Sequence, residues 1–389
     1  MSSFDEIIDR SGTGSVKWDP AFLKEHFGHE DLLPLWVADM DFRTPQTVID
    51  ALENRARHGI FGYTFPGSEY SDSVINWFRR RHGWSINKKW IVFSPGVVPA
   101  VTYMVQRFTQ PGDHVIIQHP VYHPFMHLIE HNGRQIVSNQ LKMSGSRYQM
   151  DFEDLEEKAK DPRSKLFILC SPHNPVGRVW SKDELYRLGD ICLENNLLVI
   201  ADEIWCDLIL PGHQHTPFAS ISEKFAQNSI TCTSGSKTFN LAGLQNSNIL
   251  IPNDRLREDF KIQMEKLFLF IPNSFGSIAL QVAYETGEEW LNSVISVINR
   301  NLSILKSFVT NKLPKVSVIE PEGTYLVWLD FRLIGLNPKE LQDKLLTEAK
   351  VALDSGDIFG TGGEGFLRIN IACPRSILEE ALERIANVF

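Results

Sequence analysis

From about residue 46 to residue 285 the chain alternates short apolar runs with longer amphipathic ones. WIVFS at 90–94, HVIIQ at 114–118, KLFILC at 165–170, NLLVIA at 196–201 and SITCT at 229–233 have the length and composition of buried strands. Segments between them, such as DELYRLGDICLEN at 183–195, carry a helical period. Strands separated by helices predict crossovers over a mainly parallel sheet, and so an α/β fold. After about residue 286 the pattern changes to one long helical stretch, then KVSVIEPEGTYLVWLDF, which predicts two strands around the turn EPEG. Another helix and the strand FLRINIA complete what is expected to be a smaller α+β domain. The first stretch, with SGTGSVKWD and LPLWVADMDF, is too irregular to stand alone. The expected division is an N-terminal segment 1–45 packing with the small domain, a large ligand-binding domain 46–285 and a small C-terminal domain 286–389.

A chain of 389 residues can bury a large core and house a cleft. It carries 39 basic and 48 acidic residues, a formal net charge of −9, and no basic stretch interleaved with aromatics, so nucleic acid is not an expected partner. The cysteines, Cys170, Cys192, Cys206, Cys232 and Cys373, are odd in number and form no CxxC pair, which fits reduced thiols in the cytoplasm. The opening MSSFDEIIDR lacks a basic stretch followed by an apolar core, and no apolar run approaches a membrane span. A soluble cytoplasmic protein without membrane association is expected. There is no internal repeat or low-complexity tract.

In open α/β sheets ligands bind beyond the carboxyl ends of the strands, so the residues that follow each apolar run are compared. After WIVFS comes PGVVPAVTYMVQRF, a glycine turn opening a helix, whose free amides at Gly96, Val97 and Val98 suit a phosphate. After HVIIQ, HPVYHPF places Tyr122 where an aromatic face can cover a flat ligand. After KLFILC, the proline-flanked turn SPHNPVG presents Asn174. NLLVIA is followed by Asp202, and SITCT by Ser234, Ser236 and Lys237. Each has a bland reading as a turn former, cap or core residue. Together, a phosphate cradle, a ring cover, an amide donor, a carboxylate and a lysine among small residues match one ligand, pyridoxal 5′-phosphate. A lysine amine condenses with its aldehyde, and an aspartate keeps its pyridine nitrogen protonated.

SPHNPVGRVW, ADEIWCDL and SGSKTFNLAGL, in this order, resemble the fold type I pyridoxal phosphate enzymes of the class I and II aminotransferase superfamily. GSVKWD, LPLWVADMDF, GYTFPG and SPGVVPA narrow the likeness to the branch of cystathionine β-lyases and cysteine-conjugate carbon–sulfur lyases, over essentially the whole chain. The resemblance implies that Lys237 carries the cofactor, that Asp202 partners its ring nitrogen, that Asn174 binds its ring oxygen and that Tyr122 stacks on the ring. It implies a homodimer in which Tyr63 reaches the neighbour's phosphate, and an Arg368 that grips the substrate α-carboxylate with help from the backbone near Ala38. Two positions depart from the pattern: Trp205, where this branch often has histidine, and Gln245, where many aminotransferases have arginine.

The expected reaction is β-elimination from L-cystathionine or a related L-cysteine S-conjugate, giving thiol, pyruvate and ammonia, with Lys237 as general base. The same residues serve transamination, and a pyridoxal phosphate protein acting chiefly as a regulatory binding partner is a third reading. Three other signals are set aside. SGSK at 234–237 satisfies SxxK, but the partner motifs of the serine acyl-enzymes are missing. GTGGEG at 360–365 precedes a strand, so it is expected to be a loop and not a dinucleotide fingerprint. His119, His123, His127 and His131 are interrupted by Pro120 and Pro124, and no metal site is expected there.

Overall fold

The computed structural model describes residues 3–389. Its largest sheet has seven strands, in the order Ile91–Ser94, Ser247–Leu250, Ser229–Thr233, Leu198–Asp202, Ser164–Cys170, His114–Ile117 and Gln135–Ser138. Within this sheet Ser247–Leu250 runs against both neighbours, while the other neighbouring pairs are parallel. All five apolar runs read from the sequence are strands; Gln135–Ser138 and Ser247–Leu250 were not anticipated.

The strands are apolar on both faces because helices cover both. Ile168 and Ile200 pack with Val101 and Met104 of the helix Val97–Phe108, whereas the alternate residues Phe167, Leu169 and Val199 pack with Leu185 and Leu188 of Lys182–Glu194. The latter helix starts at a capping box in which Ser181 and Glu184 satisfy each other's backbone amides. The helix Val97–Phe108 starts instead at Gly96 with no side-chain cap, leaving its first amides open.

The helix Ser274–Thr286 gives way at Gly287 to the long helix Glu288–Lys312. Beyond it lies a four-stranded antiparallel sheet, ordered Ser317–Val318, Leu326–Asp330, Phe366–Asn370 and Asp354–Ser355. Leu33–Pro34 pairs in parallel with Val351–Ala352, and the Asn370 side-chain amide donates to the carbonyls of Val37 and Asp39 at 2.7 and 2.6 Å. These bonds bring residues 36–39 beside the carboxyl edge of the large sheet. Among the described residues no helix is long and apolar enough to cross a membrane.

Candidate active site

A cavity of about 380 Å³ opens at that carboxyl edge. Gly96, Val97, Val98, Tyr122 and Asn174 line it from the large sheet, followed by Asp202, Ser234, Ser236 and Lys237; Ala38 and Arg368 close it from the other side. Parallel strands place their carboxyl ends on one edge, so loops separated by long stretches of chain converge there. Tyr63 lies outside the cavity and is 95% exposed.

Lys237 sits on the short helix Gly235–Thr238, which Ser234 caps by accepting from Ser236 N. Its Nζ donates to the Ala38 carbonyl at 2.8 Å and lies 5.5 Å from the Trp205 ring centre. Burial pushes its pKa down to about 8, with Arg368 acting in the same direction and Asp39 and Asp202 opposing. The Ala38 carbonyl also accepts from the Tyr325 hydroxyl at 2.9 Å. Asn240, three residues after Lys237, fixes this loop by accepting from Met40 N at 3.0 Å and donating to the carbonyls of Met40 and Phe42. Below it Asp41 holds Arg10, the wholly buried Lys17 and the Trp18 indole, each at 2.7 Å. That network explains the chemistry of GSVKWD and ADMDF, segments without a helical or strand period.

Asp202 ends the strand Leu198–Asp202 at the lip of the cavity. Its side chain accepts from Ile204 N at 3.1 Å and makes no ion pair among the described residues. Burial pushes its pKa up to about 7. A buried carboxylate without a contacting cation is a fitting partner for a protonated ring nitrogen. Asn174 Oδ1 accepts from Arg368 Nη1 at 2.9 Å, which turns the amide so that Nδ2 remains a donor. The Tyr122 hydroxyl is pushed up to about 12, first by burial and then by Asp202, and so stays protonated. The donor set therefore fits pyridoxal phosphate: an amine for its aldehyde, a carboxylate for its ring nitrogen, an amide donor for its ring oxygen, and the open amides at Gly96, Val97 and Val98 for its phosphate. Pro99 contributes no amide to that turn. Ser234 donates its hydroxyl to the Asn246 carbonyl at 2.7 Å, whereas the Ser236 hydroxyl has no such partner among the described residues, making Ser236 the freer phosphate donor.

Several lining residues were not singled out as ligand contacts from the sequence: His123, Asn246 and Asp354, the last paired with Arg368 Nη2. An acidic residue inside the apolar run VALDSG was the available signal for Asp354. Trp205 is buried edge-on against Tyr325, ring centres 4.8 Å apart, below Lys237. Gln245 does line the cavity, with a left-handed backbone. His127 and His131 stack at 5.7 Å without forming a ligand cluster. The group that could hold a metal among the described residues is His82, Cys206 and Asp207. There Asp207 is already satisfied by the Trp77 indole at 3.0 Å, the Thr238 hydroxyl at 2.8 Å and His82 at 2.8 Å, so it braces the turn carrying Lys237. GTGGEG lies directly before the strand Phe366–Asn370, as a loop.

A family model described as aminotransferase class I and II matches residues 30–385. The chain is 49% identical to cystathionine beta-lyase PatB of Bacillus subtilis (strain 168), over 98% of each chain. Among solved structures it is similar to cystalysin of Treponema denticola, which contains a pyridoxal 5′-phosphate cofactor, with a TM-score of 0.96, 41% identity and coverage of 100% and 98% of the two chains. It is also similar to the pyridoxal phosphate-bound C-S lyase of Staphylococcus hominis, with a TM-score of 0.92, 34% identity and the same coverage.

Proposed function

We propose, from the premise that this chain belongs to the aminotransferase class I and II family, that it is a pyridoxal phosphate-dependent carbon–sulfur lyase. It cleaves L-cystathionine or a related L-cysteine S-conjugate to thiol, pyruvate and ammonia. The half-buried Lys237 amine in one cavity with Asp202 supports the cofactor, and the 49% identity to a cystathionine beta-lyase supports elimination over transamination.

When bound, pyridoxal phosphate supplies an electron sink that makes the substrate Cα proton acidic and allows a β-substituent to leave. Lys237 would anchor it and, when its amine is free, would serve as the base of the site. Burial lowers its pKa to about 8, toward the range where a free amine can accept a proton, so its Nζ is the group that would take the Cα proton and deliver it elsewhere. Asp202 keeps the ring nitrogen protonated, and that cation in turn favours the charged carboxylate. Tyr122 covers the ring, Asn174 Nδ2 donates to the ring oxygen, and the amides at Gly96, Val97 and Val98 hold the phosphate with Ser234 and Ser236. Arg368 grips the substrate α-carboxylate beside the Ala38 backbone.

The working form is a homodimer in which Tyr63 reaches the partner's phosphate; its full exposure, beside exposed Ile60, Phe61 and Phe65, supports a second copy covering this loop. Five free, buried cysteines support a reducing cytoplasmic setting. Residues 46–285 form the cofactor-binding domain and 286–389 the small domain, with the described part of segment 1–45, from residue 3 on, packed on the latter. The deciding experiment supplies cofactor-loaded protein with L-cystathionine and no keto acid. Stoichiometric pyruvate and free thiol are expected over many turnovers. Silence there, with conversion of an added keto acid to its amino acid, identifies an aminotransferase instead.

A further inference from the structure

Arg368 is already occupied. Its Nη1 donates to Asn174 Oδ1 at 2.9 Å, while Nη2 donates both to the Trp36 carbonyl at 3.0 Å and to the Asp354 carboxylate. Its Nε is buried without a partner. A carboxylate that grips a guanidinium with two parallel N–H bonds uses either Nε with Nη2 or Nη1 with Nη2, so both forks need Nη2. Each hydrogen on Nη2 is taken. The Trp36 carbonyl is main chain, held where Leu35 N donates to the Ala352 carbonyl at 2.9 Å, and cannot swing away alone. Asp354 is a side chain, and it lines the cavity.

We propose that Asp354 is an internal stand-in for the substrate carboxylate: it holds the fork of Arg368 in the resting enzyme and is displaced when substrate binds. This rests on the reading of Arg368 as the α-carboxylate clamp. The arrangement has a clear electrostatic logic, since a buried arginine without a counter-charge is costly and attracts any small anion. Asp354 neutralises it until a ligand offers a carboxylate in the correct place. Asp354 is thus a positioning residue that raises KM and leaves the proton transfer at Lys237 untouched.

The test compares cofactor-loaded wild type, D354N, R368Q and the double variant. Binding of propionate, an unreactive carboxylate, is titrated through the cofactor absorbance, and KM and kcat are measured with L-cystathionine. D354N is expected to bind propionate about tenfold more tightly and to lower KM by a similar factor, with kcat changed by less than about threefold. R368Q is expected to lose propionate binding in either background. If R368Q abolishes binding but D354N leaves it equal or weaker, the clamp stands and the displacement proposal falls. If R368Q binds propionate as wild type does, the clamp reading fails and takes the proposal with it. A wild-type crystal with propionate bound decides the matter without any variant: a separated Asp354–Arg368 pair supports displacement, and an intact pair beneath a seated carboxylate overturns it.

Discussion

Asp202 is buried and Lys237 half-buried in forms that folding alone disfavours, and the sign of each cost can be worked out. The Asp202 carboxyl titrates near 7 in the folded chain against an ordinary 3.8, so the folded state holds a proton that the unfolded state has released between those values. Its burial therefore costs nothing below about pH 4, increasingly more as pH rises to 7, and a constant amount above. In cofactor-free protein at pH 8, Asp202→Asn is expected to raise stability by up to about 4 kcal/mol while abolishing turnover of the loaded enzyme. Urea unfolding at pH 8 and pH 4 checks this, because the gain should vanish at the lower pH. Lys237, lowered to about 8 from 10.5, has the opposite profile: its cost is full below pH 8 and relieved as pH rises further. Both residues were legible in the sequence because strand ends in an α/β fold converge. Asp354 was not, since its importance comes from contact with Arg368, on a neighbouring strand of the small sheet, and no local pattern records that contact.

At the scale of elements, the apolar strands were readable because their β-branched and aliphatic residues are buried on both faces. Ser247–Leu250 escaped because half of it is polar: Asn248 is buried in the sheet, where its side chain accepts from the Tyr70 hydroxyl at 2.7 Å and its carbonyl from Thr233 Oγ1 at 2.9 Å. Such a strand reads as loop until its partners are known. Gln135–Ser138 escaped as a sheet edge with no fully buried residue. The short helix Gly235–Thr238 is the element on which the site depends most. A Cβ at Gly235 would lie 2.3 Å from Leu280 Cδ1, in a fully packed region. Gly235→Ala is expected to cost about 1–3 kcal/mol and to displace Lys237. The measurement is thermal unfolding together with kcat: an unchanged kcat would show that the turn tolerates the shift.

For the whole molecule, the loop between the helices Gln46–His58 and Ser68–His82 presents Phe61, stacked on Phe275 at 5.6 Å, together with exposed Tyr63 and Phe65. Apolar exposure on this scale needs a cover. Phe61→Ser combined with Phe65→Ser is expected to convert a dimer to monomers in sedimentation and to weaken cofactor retention at least tenfold, about 1.4 kcal/mol or more. A variant that stays dimeric with cofactor fully retained would remove this loop from the interface. The N-terminal segment shows its motifs in the sequence but not its conformation, because its order comes from long-range bonds to Asn370, Ala352 and Asn240 and not from local periodicity. Its closest approach to the chemistry is the Ala38 carbonyl, which receives both Lys237 and Tyr325. A peptide oxygen is present whatever amino acid occupies the position. Genetic drift at residue 38 therefore cannot delete the oxygen that receives Lys237 and Tyr325, and only changes that reroute the chain can; the variation available to natural selection or to a protein engineer lies in the anchors Lys17, Asp41 and Asn240.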